Sequence, residues 1–573
     1  MPHMTETELD SQIQLIDFIK DHGSQLKRSG IPEKYWQTLQ SKLAGEVYDA
    51  GQSFQIVCEE TLTGDGDETD SKNLWKVVVA LEDGISVEDP NHIYLIDHAW
   101  TYEVRHARLQ LQQVPGLLDR MTAMMEVQTE GLAQEEVIEA VLQEMWRFNQ
   151  TYSFGNFSLG TDEATPLWYI LDEFGSRIQH SNEPTFKTVP FFHVPSNFTF
   201  TLLWPLQFVD KGGEVTRDFV GNVSNPLTRQ ARLLPWIPTD MTNVSYIQEE
   251  PDVSFFTTFK MEEQLPDLDV EFPPITKDRI LRVFMNNSTL ASHLTDSRFV
   301  VVETEEEADI IWTMDNWKNY RLLSDEYPHK FVNQFPSEEK EGLDNHWICK
   351  PWNLSRGLDT HITSNLNYLV RLPDSGPKIA QKYVEDPVLF HRDDIGDVKF
   401  DIRYIIMLRS VKPLKLYVYR VFWLRFSNKV FSMDHFDDYV KHFTVMNYVE
   451  DDLKQIHYDE FIPMFDQQYP AFNWNDTEEK IFDMFREIFK AATSKPPPMG
   501  ISHSPQSRSF YAIDLMLKWQ TDEKGDRYMQ PVLCEVNFCP DCNRACQYHP
   551  NFINDMFAAL FFDETDGRPN TLL

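Results

Sequence analysis

The chain has 573 residues, 42% of them hydrophobic and 25% charged, a composition that fits globular domains and excludes a fibrous or wholly disordered protein. Lys plus Arg number 52 against 90 for Asp plus Glu, a formal charge of −38. A field of that sign repels nucleic acid, anionic membrane and other acidic polymers, so none of these is an expected direct partner.

No apolar run reaches the roughly 18 residues of a membrane span, and the stretch from Met1 to Asp10 is too polar and acidic for a secretory signal. Six cysteines in so long a chain make no disulfide framework, so the chain reads as soluble and intracellular.

In chain order, Leu9, Ile13, Ile16 and Ile19 fall on one helical face, and after the Gly30-Ile31-Pro32 break Tyr35, Leu39 and Leu43 repeat at four-residue spacing. The amphipathic stretch from Val104 to Val127 contains Pro115, which makes it either two helices or one kinked helix. Glu135 to Phe148 predicts another helix, with Val137, Val141, Met145 and Phe148 inward. From Trp168 to Phe219 short aromatic and β-branched runs broken by Pro, Gly and Asn predict strands and turns. The acidic, proline-bearing stretch around 249–278 reads as a linker. Beyond it, Arg279–Met285, Ser288–Leu294, Phe299–Glu303 and Ala308–Met314 predict strand, helix, strand, strand. The rest mixes buried strands such as Tyr404–Leu408 and Leu416–Trp423 with helices such as Glu478–Ala492. The division expected is 1–160 helical and mixed, 161–248 a β core, 249–278 linker, and 279–573 an α/β domain.

Chemistry concentrates in the C-terminal half. Trp347-Ile348-Cys349-Lys350-Pro351-Trp352, followed by Ser355-Arg356-Gly357, reads as an apolar strand delivering a lysine into a loop able to hold phosphate. Gln381-Lys382-Tyr383-Val384 precedes Lys399-Phe400-Asp401-Ile402-Arg403, where alternation puts Lys399, Asp401 and Arg403 on one face of a strand. Asp514, Glu535 and Asn537 supply hard oxygen donors on two strands, a set suited to Mg²⁺ bridging ATP phosphates.

This ordered set closely resembles the ATP-grasp core of the tubulin–tyrosine ligase-like family, over about Arg279 to Asp563. The resemblance implies that Lys350 and Lys382 contact ATP, with Ser355, Arg356 and Gly357 at its phosphates and Gln381, Tyr383 and Val384 around adenine. It implies that Lys399, Arg403 and Arg425 orient acceptor and acyl phosphate, and that Asp514, Glu535 and Asn537 hold magnesium. Family members activate a carboxylate with ATP and join it to an amine on tubulin tails. There are departures. The loop after Lys350 runs Gly357-Leu358-Asp359, lacking a second glycine for backbone donors and adding a carboxylate. His442-Phe443-Thr444-Val445 replaces a His-Leu-Thr-Asn run, and the connection from Pro336 to Trp347 is short for the family.

Further upstream, Gly175 to Pro184 and Gly213-Glu214-Val215-Thr216-Arg217-Asp218-Phe219 resemble the SET methyltransferase core. Gln179, Asn182 and Thr185 replace that pattern's Asn, Cys and Asn, and Phe219 its tyrosine, so loss of methyl transfer is expected. Cys539, Cys542, Cys546 and His549 have the ligand types of a compact zinc site, although reduced thiols near the cleft are the preferred reading.

The expected fold is therefore mixed α+β and α/β, with N-terminal helices and a SET-like β module before an ATP-grasp ligase-like domain. The expected function is regulation of tubulin modification: binding ATP and Mg²⁺ with little or no ligase turnover, and lowering detyrosination–tyrosination cycling and polyglutamylation by occupying substrate. Alternatives are an active ATP-dependent carboxylate–amine ligase on tubulin, and a chromatin factor linked to lysine methylation that meets histones or signalling proteins through the SET-like half. The negative charge favours free tubulin dimer over the microtubule lattice. The resemblance implies residence in the cytoplasm, at centrosome, spindle and midbody, and partly in the nucleus.

Overall fold

The computed structural model describes residues 6–63, 70–152, 166–221, 223–241, 244, 275–312, 346–351, 359–376, 378–444, 455–496, 499–505, 507–537, 540 and 542–573. They fall into two compact units, one of Met1–Ser245 with His346–Ala380, the other of Tyr246–Asn345 with Gln381–Leu573. Most of the expected linker, 249–274, and the Pro336 end of the short connection lie outside the described residues. No helix among the described residues is long and apolar enough to cross a membrane.

In the first unit, α1 (Glu6–Arg28) corrects the expected face. Ile13 and Ile16 are exposed, and the helix buries Phe18 and Leu26 with Leu15 and Ile19 beside them. The polar member that hid this stripe is His22, buried at the middle of it, with Nδ1 bonded to the Phe18 carbonyl and Nε2 accepting from the Val194 amide. Residues 15, 18, 19, 22 and 26 make the continuous seam that packs onto α2 (Trp36–Ala44), where Leu39 and Leu43, with Tyr35 just before, are buried as expected.

The chain then forms the hairpin β1 (Phe54–Thr63) and β2 (Asp70–Val79), followed by β3 (Tyr94–Ile96) and β4 (His98–Tyr102). Pro115 separates two helices, α3 (Ala107–Gln113) and α4 (Leu117–Met125), and Gly116 between them takes φ 76°, a backbone state glycine adopts without strain. Helix α5 (Gln134–Glu144) buries Val137 and Val141. Strand β5 (Asn149–Tyr152) precedes the predicted strand region, which comprises β6 (Leu167–Leu171), β7 (Gln179–His180), β8 (Phe186–His193), β9 (Phe198–Pro205) and β10 (Thr216–Arg217). They assemble as small sheets, β3-β9-β8, β4-β6-β5 and the parallel pair β7 with β10.

In the second unit β11 (Leu281–Met285), α6 (Ser288–Ala291), β12 (Phe299–Val302) and β13 (Ile310–Trp312) follow the predicted order and form a parallel sheet, β12-β11-β13. The chain next returns to the first unit with β14 (Trp347–Pro351), β15 (His361–Thr363) and α7 (Leu366–Arg371), and Cys349, Tyr368 and Leu372 share a core with Trp146 and Trp168. Strand β16 (Lys378–Lys382) lies on the other edge of β14.

The main sheet of the second unit is antiparallel, ordered β22-β21-β19-β20-β23. Its members are β19 (Phe400–Val411), β20 (Leu414–Phe426), β21 (Ser509–Thr521), β22 (Arg527–Asn537) and β23 (Asn570–Leu572), with the hairpin β17 (Phe390–Arg392) and β18 (Gly396–Val398) leading in. Side chains alternate across it. Ile402, Tyr404 and Ile406 face α8 (Trp474–Ala492), whose Ile481, Phe482, Phe485 and Phe489 are fully buried. Each such side chain contributes about 1.5–3 kcal/mol on burial. Ile405 and Met407 face Phe552, Ile553, Met556 and Phe557 instead. That same face of β19 becomes charged toward its start, at Arg403 and Asp401, and Lys399 stands immediately before the strand.

Candidate functional site

Sheet register builds the site. Across β20, β19, β21 and β22, Arg425 stands opposite Asp401, Arg403 opposite Asp514, and Asp514 opposite Glu535, while Asn537 sits beside Ala512. Opposed charges on paired strands approach closely enough to bond. Arg403 grips Asp514 with Nε on Oδ1 at 2.6 Å and Nη2 on Oδ2 at 2.7 Å. Arg425 reaches both acids, with Nε at 2.6 Å from Asp401 Oδ1 and Nη2 at 2.9 Å from Asp514 Oδ2. Thr444 donates to the other oxygen of Asp401. Asn537 Nδ2 donates to Glu535 Oε1 at 3.0 Å and lies 3.5 Å from Asp514 Oδ2.

The electrostatics follow from that pairing. Burial raises the Asp514 carboxyl, but the charges and hydrogen bonds of Arg425 and Arg403 outweigh it and hold the group at about 2. Asp401 is raised, because burial and the charge of Asp514 exceed what its single arginine returns. Lys399 is buried, donating to the Tyr383 hydroxyl at 2.8 Å and the His442 carbonyl at 3.1 Å. Burial brings its ammonium down to about 7. His442 is fixed in turn by Tyr383 at 2.9 Å and the Asp434 carbonyl at 2.8 Å.

Of the other sequence-predicted residues, Gln381 donates to the Leu533 carbonyl at 3.0 Å, Tyr383 is buried, and Lys382 and Val384 are half-buried. The structure thus brings together Gln381, Tyr383, Lys399, Arg403, Arg425, Asp514, Glu535 and Asn537 on one unit. Lys350 lies half-buried on β14, in the other unit. Ser355, Arg356, Gly357 and Val445 lie outside the described residues. The departing carboxylate of the loop, Asp359, is buried in a local cluster, bonded to His361 Nε2 at 2.7 Å and to the Lys378 ammonium. Burial pushes its carboxyl up, yet the His361 hydrogen bond and the charges of His361 and Lys378 hold it below the ordinary value.

The SET-like stretches also meet. Gln179 and His180 pair in register with Thr216 and Arg217, the Phe219 amide donates to His180 Nδ1 at 3.2 Å, and Thr185 and Thr216 exchange hydrogen bonds. Asn182 accepts from Arg229 at 2.9 Å.

Residues 66–240 match the tubulin tyrosine ligase SET-like domain family, and residues 295–570 match the tubulin-tyrosine ligase family. Tubulin–tyrosine ligase-like protein 12 of Mus musculus is 46% identical over 96% of this chain and 96% of its own length. The Homo sapiens protein of that name is 46% identical over 98% and 96%, and that of Caenorhabditis elegans 30% over 96% and 97%. The chain belongs to the tubulin–tyrosine ligase-like family, with the protein 12 sequences. It joins an N-terminal SET-like, β-rich module to a C-terminal tubulin–tyrosine ligase, ATP-grasp-like domain, as the sequence motifs implied.

For this family member the donor chemistry of Asp514, Glu535 and Asn537 fits magnesium, all three offering oxygen on adjoining strands. The fit has a cost in place: both oxygens of Asp514 already accept from guanidinium groups. Sequence reading gave Asp401, the second acid that Arg425 reaches besides Asp514, no role of its own, although the Lys399-Asp401-Arg403 alternation pointed to it. It also missed the Asp359–His361–Lys378 cluster, whose lysine carries no local signal. For the cysteines, Cys539 lies outside the described residues, Cys542 and Cys546 are buried in an apolar cluster, and His549 Nδ1 is 2.6 Å from the Tyr419 hydroxyl. Burial pushes the Cys546 thiol up to about 11. No group of three or more His, Cys, Asp or Glu suited to a metal occurs among the described residues.

Proposed function

We propose that the protein regulates tubulin modification: it binds Mg-ATP through Lys382, the Gln381–Val384 segment and the Asp514–Glu535–Asn537 donors, turns over little or not at all as a ligase, and limits tail modification by occupying tubulin. The observation that supports it is the mutual bonding of Arg403, Arg425, Asp401 and Asp514. When bound, Mg-ATP supplies the phosphoryl group that activates a carboxylate. Using that chemistry requires arginines that can turn to the transferred phosphate and a carboxylate that can turn to the metal. Here those groups neutralise one another, so each would have to give up charge-assisted bonds first. Asp359 adds a carboxylate at the end of the expected phosphate loop and spends it on Lys378 and His361.

Free tubulin dimer is the proposed partner, since a chain of charge −38 gains nothing from the acidic microtubule surface. The competing reading, an active ligase, draws on the retained oxygen donors. The two separate in cells expressing wild type or Glu535→Gln at matched levels, with tyrosinated, detyrosinated and polyglutamylated tubulin read by immunoblot. A substrate-occupying regulator lowers polyglutamylation and shifts the tyrosinated-to-detyrosinated ratio alike in both. If only wild type changes them, the regulator reading fails, because loss of a hard metal ligand abolishes a ligase and leaves a competitor intact.

A further inference from the structure

Arg217, on β10 of the SET-like module, is 8% exposed, yet its guanidinium makes no hydrogen bond and no ion pair among the described residues. Its close partner is the ring of Phe219, 4.8 Å from the guanidinium carbon to the ring centroid. The adjacent carboxylate is not available: Asp218 is held by Arg229 at 2.8 and 3.0 Å. His180, the register partner of Arg217, has its ring 5.3 Å from Phe219 and a buried Nε2 that also has no hydrogen-bond partner. Arg371 adds positive field nearby, but its own charge is met by Asp374 at 2.8 Å and by the Trp146 and Asn149 carbonyls. Burial and that field bring the Arg217 guanidinium down to about 10, so it is still charged at neutral pH.

Burying a cation without an anion is among the costliest arrangements a fold can hold, and it is relieved when a ligand supplies the anion. We propose that Arg217, His180 and the Phe219 ring form a binding site for the carboxylate of a small organic acid. One uncompensated charge matches a monoanion, and the planar guanidinium fork matches a carboxylate with parallel N–H bonds. A phosphate dianion would leave net negative charge in a buried site. An acidic peptide is disfavoured by the charge of −38 as well as by the burial of the arginine. Phe219 packs against Trp236 with ring centroids 4.6 Å apart and the planes tilted by 50°, which adds apolar aromatic surface beside the guanidinium. The same cation repels a lysine ammonium, which removes support from the chromatin alternative.

The test uses the full chain in chloride buffer at fixed ionic strength, with melting followed on titration of phenylacetate, acetate, phosphate and the neutral phenylacetamide. Wild type should show a saturable rise in Tm with phenylacetate, a smaller one with acetate and none with the amide. Arg217→Met should lose the response and melt no lower than wild type in chloride. Arg217→Lys, which keeps the charge, should bind phenylacetate about tenfold more weakly because the fork is lost. An equal response in Arg217→Met, a response to phosphate that exceeds that to the carboxylates, or no saturable response to either carboxylate overturns the assignment.

Discussion

Replacing Asp514 by Ala separates an ion-pair hub from a waiting metal ligand by the sign of its effect on stability. The carboxylate is 3% exposed and accepts at 2.6 and 2.7 Å from Arg403 and 2.9 Å from Arg425. Breaking a buried pair by removing one partner costs about 3–5 kcal/mol, most of it from the charge left behind. Arg403 and Arg425 are partly hydrated, at 24% and 18% side-chain exposure, so the lower end, about 3 kcal/mol, applies. For a unit of this size that is a fall in Tm of roughly 5 °C. The contribution also has a pH signature. Held at about 2 in the folded state against 3.8 ordinarily, the group adds stability that is complete above about pH 4 and disappears as pH falls toward 2. Exposed Glu535, changed to Gln, should stay within about 0.5 kcal/mol of wild type. Thermal and urea unfolding at pH 7 without nucleotide read both variants. A metal carboxylate held near Glu535 without compensating cations would instead be relieved by neutralisation. If Asp514→Ala melts at or above wild type, the ion-pair account is wrong.

Lys399 gives a second pH test. Its folded value near 7 lies below the ordinary 10.5, so between those values the unfolded chain binds the extra proton and stability rises with pH. Wild type should therefore gain on Lys399→Met by up to about 1.4 kcal/mol per pH unit from pH 7 to 9 in urea unfolding; parallel curves would refute it. Mg-ATP should stabilise wild type by about 2.7 kcal/mol at a hundredfold excess over Kd, and Lys382→Ala should abolish the shift. Equal shifts in both, or none in either, would count against the nucleotide site.

What the sequence made legible was periodic or local. The Lys399-Asp401-Arg403 alternation, the Glu535-Asn537 pair and the strand–helix–strand–strand run from Leu281 to Trp312 all declare themselves within a few residues. The face of α1 was misread because His22, a polar residue satisfied on both ring nitrogens, occupies the centre of the buried seam. The bonding of Arg403 to Asp514 depends on which strands become neighbours, and a separation of more than a hundred positions leaves no sequence trace of it. The unpaired state of Arg217 is equally invisible in sequence, since it rests on Asp218 having turned to Arg229.

Occupancy of tubulin without ligation is measured with purified protein, free tubulin dimer, Mg-ATP and radiolabelled tyrosine, glutamate or glycine. A stable complex with tubulin is expected, with no label in the tubulin band above a heat-killed control for any of the amino acids. Label that enters tubulin with wild type, and is lost in Glu535→Gln, would contradict it and establish a ligase.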